Sequence, residues 1–484
     1  MKNIQKNIGI VLITLLVLIS CDSAIDIIQP GELNEDAAFR TVEDLQLGLN
    51  NEYFGLNTNE AILISSLFTD ETSLGIENGG QNLTLLQFLF NPNTAIPSNL
   101  WLNNYQTINR VNRILAASSN ITISNEERDD LNDILGQLYA MRAAEYFELL
   151  TYYSTDLTDD NALGVMLSVE VPDVDTELPR VTNGEVFAQI ESDLALAKNF
   201  LDPVRSSSVF ITQDFVTALE ARIALYRGNN SLALSKSQEL IDGFQLADRG
   251  QYEAIFRDVE STGVIFKGER TPADAARIAE NFYFRNPGID GGPYMELGRA
   301  LFNQLDPNDI RFDVLVNDET VADPDYQTND GLNDILLIGK YEGSEGQPTL
   351  NDYKYFRVAE MYLIKAEAQA RLNDLSAAAE TLKELRDARF ADSTEQDEYG
   401  DVNEALTAVL NERRIELAFE GHRYIDLKRF NSDLGLQLDR DPVDCEKFNA
   451  CTLPANEFFK FTFPIPQIEL SGNSVIRDQQ NPGY

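Results

Sequence analysis

Apolar residues recur at steps of three and four over residues 101–115, 127–153, 185–201, 215–226, 232–241, 353–371, 376–389 and 402–428. That spacing lines them along one face of a helix, as Tyr105, Ile108, Val111 and Ile114 do in the first segment. The pattern predicts a predominantly α-helical chain. Ala221 and Ala233 stand twelve apart around Gly228, Asn229 and Asn230, and Ala366 and Ala378 stand twelve apart around Asn373 and Asp374. In each pair a leucine follows seven residues later, Leu240 and Leu385. Small residues at these offsets let antiparallel helices approach closely, which predicts tetratricopeptide-like helix pairs. The two copies lie 145 residues apart, so the pairs are expected to be separated by long inserts. Those inserts cover residues 66–98, 155–182, 249–347 and 431–456 and are rich in Gly, Asn, Asp and Pro with scattered Tyr and Phe. Loops of this length inside a compact protein usually carry function, so a loop-built binding lobe is expected there.

The N-terminus decides location. Lys2 and Lys6 precede an apolar run over residues 8–19, which ends in Leu18, Ile19, Ser20 and Cys21. As a helix the run would span ~18 Å, short of the ~30 Å hydrocarbon core. It reads as a secretion leader, not a membrane span. Small Ser20 before Cys21 resembles a lipobox, in which the cysteine is acylated and becomes a lipid anchor; an ordinary cleaved leader is the alternative, and either exports the chain. Residues 1–20 are therefore expected to be removed.

Charge narrows the partners. Seventy-nine acidic residues face 38 Lys and Arg, a formal net charge of −41, and nucleic acid is excluded because phosphate backbones need a basic footprint. An acidic surface also repels anionic headgroups, leaving the anchor as the tie to the membrane. Cys445 and Cys451 are the other two cysteines, and outside the cytoplasm they are expected to form a local disulfide. A metal site there would need more ligands, and His422 is the sole histidine.

Five matches, in the right order along the chain and with the two tail stretches taken as one, carry a resemblance. NERRIELAFEGHRYIDLKR over residues 411–429 is the longest, and YFRVAEMYLIKAEA over 355–368 precedes it. The tail has FPIPQIEL over 463–470 and QNPGY over 480–484, and the front has WLNNYQTINRVN over 101–112 and LYAMRAAEYF over 138–147. With these the chain resembles the SusD/RagB family of outer-membrane nutrient-binding lipoproteins along essentially its whole mature length. The resemblance implies a helical fold with four tetratricopeptide-like pairs, an N-terminal region over 21–230 and a C-terminal region over 231–484. It also implies a loop surface that binds oligosaccharide, or in some members peptide, and docking on a SusC-like TonB-dependent transporter. Where related proteins often carry Gly-Asp-Val-Pro-Leu after the second early helix, this chain has YSTDLTDDN over 153–161, and no loop geometry is carried over there.

For a sugar binder, aromatic faces stack on pyranose rings and amides bond the hydroxyls. Tyr283 and Tyr294 flank a Gly- and Pro-rich loop that begins at Asn286, and Asn78 and Asn82 bracket an amide-rich turn in the first insert. Trp101, the only tryptophan, suits either a ligand platform or the core. The expected ligand set is thus Asn78, Asn82, Trp101, Tyr283, Asn286 and Tyr294.

Catalytic chemistry finds little support. His422 beside Asp426, Glu416, Glu420 and Arg423 could imitate an acid–base cluster, but it shares a helical face with Ile415, Ala418, Phe419 and Ile425 and is expected to pack inside and bond locally. Arg413, Arg414 and Arg423 are expected to pair with carboxylates. The acidic run over 323–334 fits a calcium loop poorly, with Asp330 where Gly is needed and Leu336 where Glu is needed. No phosphate-cradling glycine loop, cofactor motif or activated nucleophile is found. The reading is a surface glycan binder that captures without catalysis. Its rivals are a peptide binder of the same family, a surface glycoside hydrolase, which would need a defined carboxylate pair, and a tetratricopeptide adaptor without small ligand.

Overall fold

The computed structural model describes residues 38–56, 59–75, 77–173, 175–271, 282, 293–325, 334–344, 347–348 and 350–484. Its long helices are α1 (Val42–Glu52), α2 (Asn59–Phe68), α3 (Ala95–Ser118), α4 (Arg128–Tyr153), α5 (Asn183–Phe200), α6 (Gln213–Tyr226), α7 (Asn230–Gly243) and α8 (Arg249–Phe256). The C-terminal half adds α9 (Val358–Arg371), α10 (Leu375–Asp387), α11 (Val402–Glu416) and α12 (Arg423–Leu434). The predicted helical class is what the chain adopts.

Local chemistry explains where these helices start. Thr41 with Asp44, Thr182 with Glu185, and Asp248 with Gln251 form reciprocal capping boxes at α1, α5 and α8. The two repeat copies turn by the same device. A residue with positive φ, Gly228 at 76° or Asn373 at 63°, is followed by an Asx cap: Asn229 accepts from the Leu232 amide and Asp374 from the Ala377 amide. Ala221, Ala233, Ala366, Ala378, Leu240 and Leu385 are all buried, as the small-residue pattern requires. Although far apart in sequence, the α6–α7 and α9–α10 hairpins are neighbours, with α7 packed on α9. The inserts are looped out of one continuous helical stack, whose core unites residues of both halves of the chain.

Two helix predictions are corrected. Residues 353–357 are not the start of a helix but strand β6 (Tyr353–Arg357), paired antiparallel with β4 (Val264–Gly268). Alternating aromatics mimic a helical face over so short a run, and burial on both sides favours the strand. The predicted 402–428 helix is broken between α11 and α12. Phe419 and Gly421 take φ of 60° and 89° there. The turn is held from outside, because Glu71 accepts from the Phe419 amide at 2.9 Å while Lys340 and Tyr341 donate to the Ala418 and Phe419 carbonyls at 2.7 Å.

Among the other strands, all short, β1 (Thr72–Leu74) pairs with β5 (Met295–Leu297) and β2 (Leu163–Met166) with β3 (Arg180–Thr182), and Gly343–Ser344 pairs with Gln347–Pro348. The tail closes the body. Phe463 donates to the Tyr152 carbonyl, and Phe68, Tyr152, Tyr424, Phe461 and Phe463 interlock with ring centroids 4.9–6.4 Å apart. Cys445 and Cys451 are joined by a disulfide with Cα atoms 4.8 Å apart.

Candidate functional site

The first and third inserts meet at the β1–β5 ladder, in the register Thr72 with Leu297, Ser73 with Glu296 and Leu74 with Met295. The seam continues past the strands, where the Gly75 amide donates to Tyr294 O at 3.0 Å and the Glu77 amide to Pro293 O at 3.2 Å. Only glycine fits position 75, since a Cβ there would lie 2.0 Å from Pro293 O. The turn that follows uses Gly79 and Gly80, at φ of 64° and 91°, to reverse the chain.

Three of the predicted ligand residues come together in this seam or beside it, in different roles. Asn78 is buried and its amide is spent within the protein: Nδ2 donates to Tyr294 O at 3.0 Å and Oδ1 accepts from the Gly80 amide at 3.1 Å. It clasps the seam and does not face solvent, which corrects its assignment as a ligand contact. Asn82 stands half-exposed at the start of the short helix Leu83–Leu86, in a left-handed conformation with no side-chain capping bond. Tyr294 is half-buried at the opposite rim. Tyr283 and Asn286 lie outside the described residues, as does Cys21.

Trp101 is the second correction. It is fully buried between Tyr105 and Tyr153, with both ring centroids 4.8 Å away, and Nε1 donates to Glu469 at 3.2 Å. The α3 stripe that includes Ile108 and Val111 turns the indole inward, and Glu469 from the tail satisfies its one polar atom.

An aromatic groove has no signature in the sequence pattern. A cavity of about 370 Å³ is lined by Asn50, Tyr53, Phe54, Phe210 and Arg270, and Phe54 and Phe210 are 53% and 39% exposed. The Tyr53 hydroxyl accepts from the Ile211 amide at 2.8 Å and so fixes the loop that carries Phe210. Arg270 lies 5.9 Å from the Phe54 ring. The groove ends at residue 270 and the seam resumes at 293, so the stretch carrying Tyr283 and Asn286 links the two in sequence. Phe54 sits just after a helix and Phe210 in a short polar loop, where single aromatics carry no pattern to single them out.

His422 is buried, as expected, but by a different route: it precedes α12 instead of riding a continuous helix, and makes no side-chain hydrogen bond. It lines a small polar cavity of about 70 Å³ with Glu148, Arg222, Lys354 and Glu420. Burial, with Arg222, Arg413 and Arg357 nearby, holds its imidazole neutral, well below the usual histidine range. The arginines pair as expected: Arg423 forks onto Asp70 at 2.8 Å, Arg413 meets Asp426 at 2.8 Å, and Arg414 meets Asp439 at 3.0 Å. Among the described residues no cluster of His, Cys, Asp and Glu is arranged to hold a metal, and no helix is long and apolar enough to cross a membrane.

A stack of helix pairs from which the first and third inserts emerge to meet in the seam defines a tetratricopeptide-like scaffold. Comparison narrows the class. The profile of the SusD family matches residues 325–484, and one described as "Starch-binding associating with outer membrane" matches residues 32–225. The chain is similar to SusD-like protein P2 of Formosa agariphila, 24% identical over 529 aligned positions covering 98% of each chain, and to SusD-like protein P38 of the same organism, 24% identical over 88% of this chain and 92% of that one. Among solved structures it resembles a SusD superfamily protein of Bacteroides thetaiotaomicron, with TM-score 0.77, 22% identity, and 91% and 100% of the two chains covered. A SusD-like carbohydrate binding protein of Bacteroides vulgatus is also similar, with TM-score 0.72, 20% identity, and 91% and 98% covered. The chain belongs to the SusD/RagB family.

Proposed function

We propose that this chain is a lipid-anchored outer-membrane protein, tethered through Cys21, that binds oligosaccharide at the cell surface and hands it to a SusC-like TonB-dependent transporter without altering it. The observation that most supports this reading is the β1–β5 seam, which sets the exposed amide turn around Asn82 against Tyr294 on a rigid helical body. Family membership supports it independently, as does the curated naming of relatives as SusD-like. Binding falls to Asn82 and Tyr294 from the seam, Phe54 and Phe210 from the groove, and Tyr283 and Asn286 from the connecting stretch. A preformed surface of this kind captures its ligand with little ordering cost.

A glycan array followed by isothermal titration with the best oligosaccharide tests the reading. Saturable glycan binding is expected, with a weakening of about tenfold for Tyr294→Ala or Phe54→Ala, the loss of one stacking face. Binding confined to peptides, or turnover of a polysaccharide by the pure protein, would overturn it.

A further inference from the structure

The largest cavity among those described, about 450 Å³, shares no lining residue with the seam or the groove. It opens where the end of α4, the α6–α7 turn, α12 and the 3-10 helix Ala455–Phe461 converge. Charges line its wall: Lys428, Arg371 and Arg429 against Asp156 and Asp433. Arg371 is spent on Glu367 and Asp433, and Arg429 on Glu367 and Asp426. Lys428 differs. Its Nζ donates to Thr151 O at 3.1 Å and Ser154 O at 2.6 Å and meets no carboxylate within ion-pair distance. Capping the last carbonyls of α4 accounts for two of its three donors and leaves one.

Across the same cavity lies a second unsatisfied group. The Asn230 Oδ1 is buried and accepts no hydrogen bond from the protein, so it calls for an O–H or N–H donor. The half-exposed Phe459 ring supplies an apolar face, and the hydroxyl-bearing Thr155 and Thr158 stand at the wall. A cation with a donor to spare, an unsatisfied acceptor and an aromatic face together suit a ligand with one negative charge, a hydroxyl and an apolar side.

We propose that this cavity is a second binding site, separate from the seam, for a small monoanionic sugar acid whose carboxylate pairs with Lys428 and whose hydroxyl donates to Asn230 Oδ1. Burial, opposed only by Asp156, pushes the Lys428 ammonium down to about 7, the state of a cation short of a counter-ion. A bound carboxylate supplies that counter-ion through a charge-assisted hydrogen bond. The volume lies within the range of small-ligand sites, roughly 300–1,000 Å³.

Titration of the purified chain with sodium D-glucuronate, its uncharged methyl ester and D-glucose tests the proposal. Saturable binding of glucuronate is expected, with the ester and glucose weaker by about tenfold or more, one charge-assisted bond. Lys428→Met and Asn230→Leu should each weaken glucuronate by about the same factor, while Tyr294→Ala leaves it unchanged. Absence of saturable glucuronate binding, an ester that binds as well as the acid, normal binding by both cavity variants, or loss through Tyr294→Ala would each overturn it. Should Lys428→Met fail to fold, the acid-against-ester comparison on the unaltered chain decides alone. Because the seam binder is tested by neutral oligosaccharide and by Tyr294, either proposal can fail without the other.

Discussion

At the scale of the residue, burial separates the two kinds of aromatic that sequence alone leaves mixed. Trp101 is enclosed by Tyr105 and Tyr153 and bonded to Glu469, so Trp101→Ala removes a large core side chain and one of the donors to Glu469. A loss of about 3–5 kcal/mol is expected, the usual cost of such a truncation, read by denaturant unfolding. Glycan affinity in the fraction that stays folded should be unchanged, and a variant of wild-type stability that has lost its ligand would return Trp101 to the binding surface. The same distinction explains what could be read residue by residue. Periodicity located the inward positions of α3 correctly, but it could not say that the register carried the indole inward. Asn78 is an amide in a glycine-rich turn, as a ligand contact would be, yet its partner is the backbone at Tyr294, more than two hundred residues away. Partners at that separation leave no trace in local spacing. Phe54 and Phe210 stood outside every pattern for the same reason.

At the scale of the element, the helix pairs were legible because their signals are local: small residues at fixed offsets, an Asx cap, a positive-φ turn. Where the local signal is ambiguous the partner decides, as at Tyr353–Arg357, whose strand exists only because Val264–Gly268 lies beside it. The seam is likewise a long-range element, and Gly75 is its weakest point. A Cβ there meets a carbonyl oxygen at 2.0 Å, and backbone cannot yield as a side-chain tip can. Gly75→Ala is therefore expected to part the ladder beyond Leu74 and tilt the Asn82 turn away from Tyr294. Oligosaccharide affinity should fall by about tenfold or more, whereas the melting temperature, set by the helical stack, should move little. Titration and calorimetry on the same preparation check this. Equal binding by Gly75→Ala and wild type would detach the seam from recognition.

At the scale of the whole molecule, charge and burial combine into a pH dependence. Burial raises Glu71, Glu148 and Glu296 to about 7, and Glu145 well above its ordinary value of 4.5. A carboxyl whose folded pKa is raised contributes stability that is complete below its unfolded value and lost as pH climbs toward the folded one. These four therefore weaken the fold as pH rises above 4.5, Glu71, Glu148 and Glu296 up to about 7. Other groups act on the acid side. Burial alone would raise Glu367, but Arg429 and Arg371 outweigh it and hold it at about 2, and Arg414 and Arg423 likewise hold Asp70 far below its ordinary range. Their contribution is complete above the unfolded value and disappears as pH falls below it. His422, kept neutral in the fold, opposes the first group below pH 6.5, one proton against four, and Lys428, lowered to about 7, opposes further loss only above that pH. Self-repulsion in a chain of net charge −41 grows with pH and adds to the alkaline loss. Thermal stability should therefore peak near pH 5 and decline toward both pH 3 and pH 8. Glu148→Gln, which keeps an acceptor for the 2.8 Å bond from Asn104, should flatten the alkaline slope. A melting temperature that rises steadily from pH 5 to pH 8 would mean that these buried carboxyls keep counter-ions in the fold, and that the helical stack tolerates its acidity by pairing instead of by protonation.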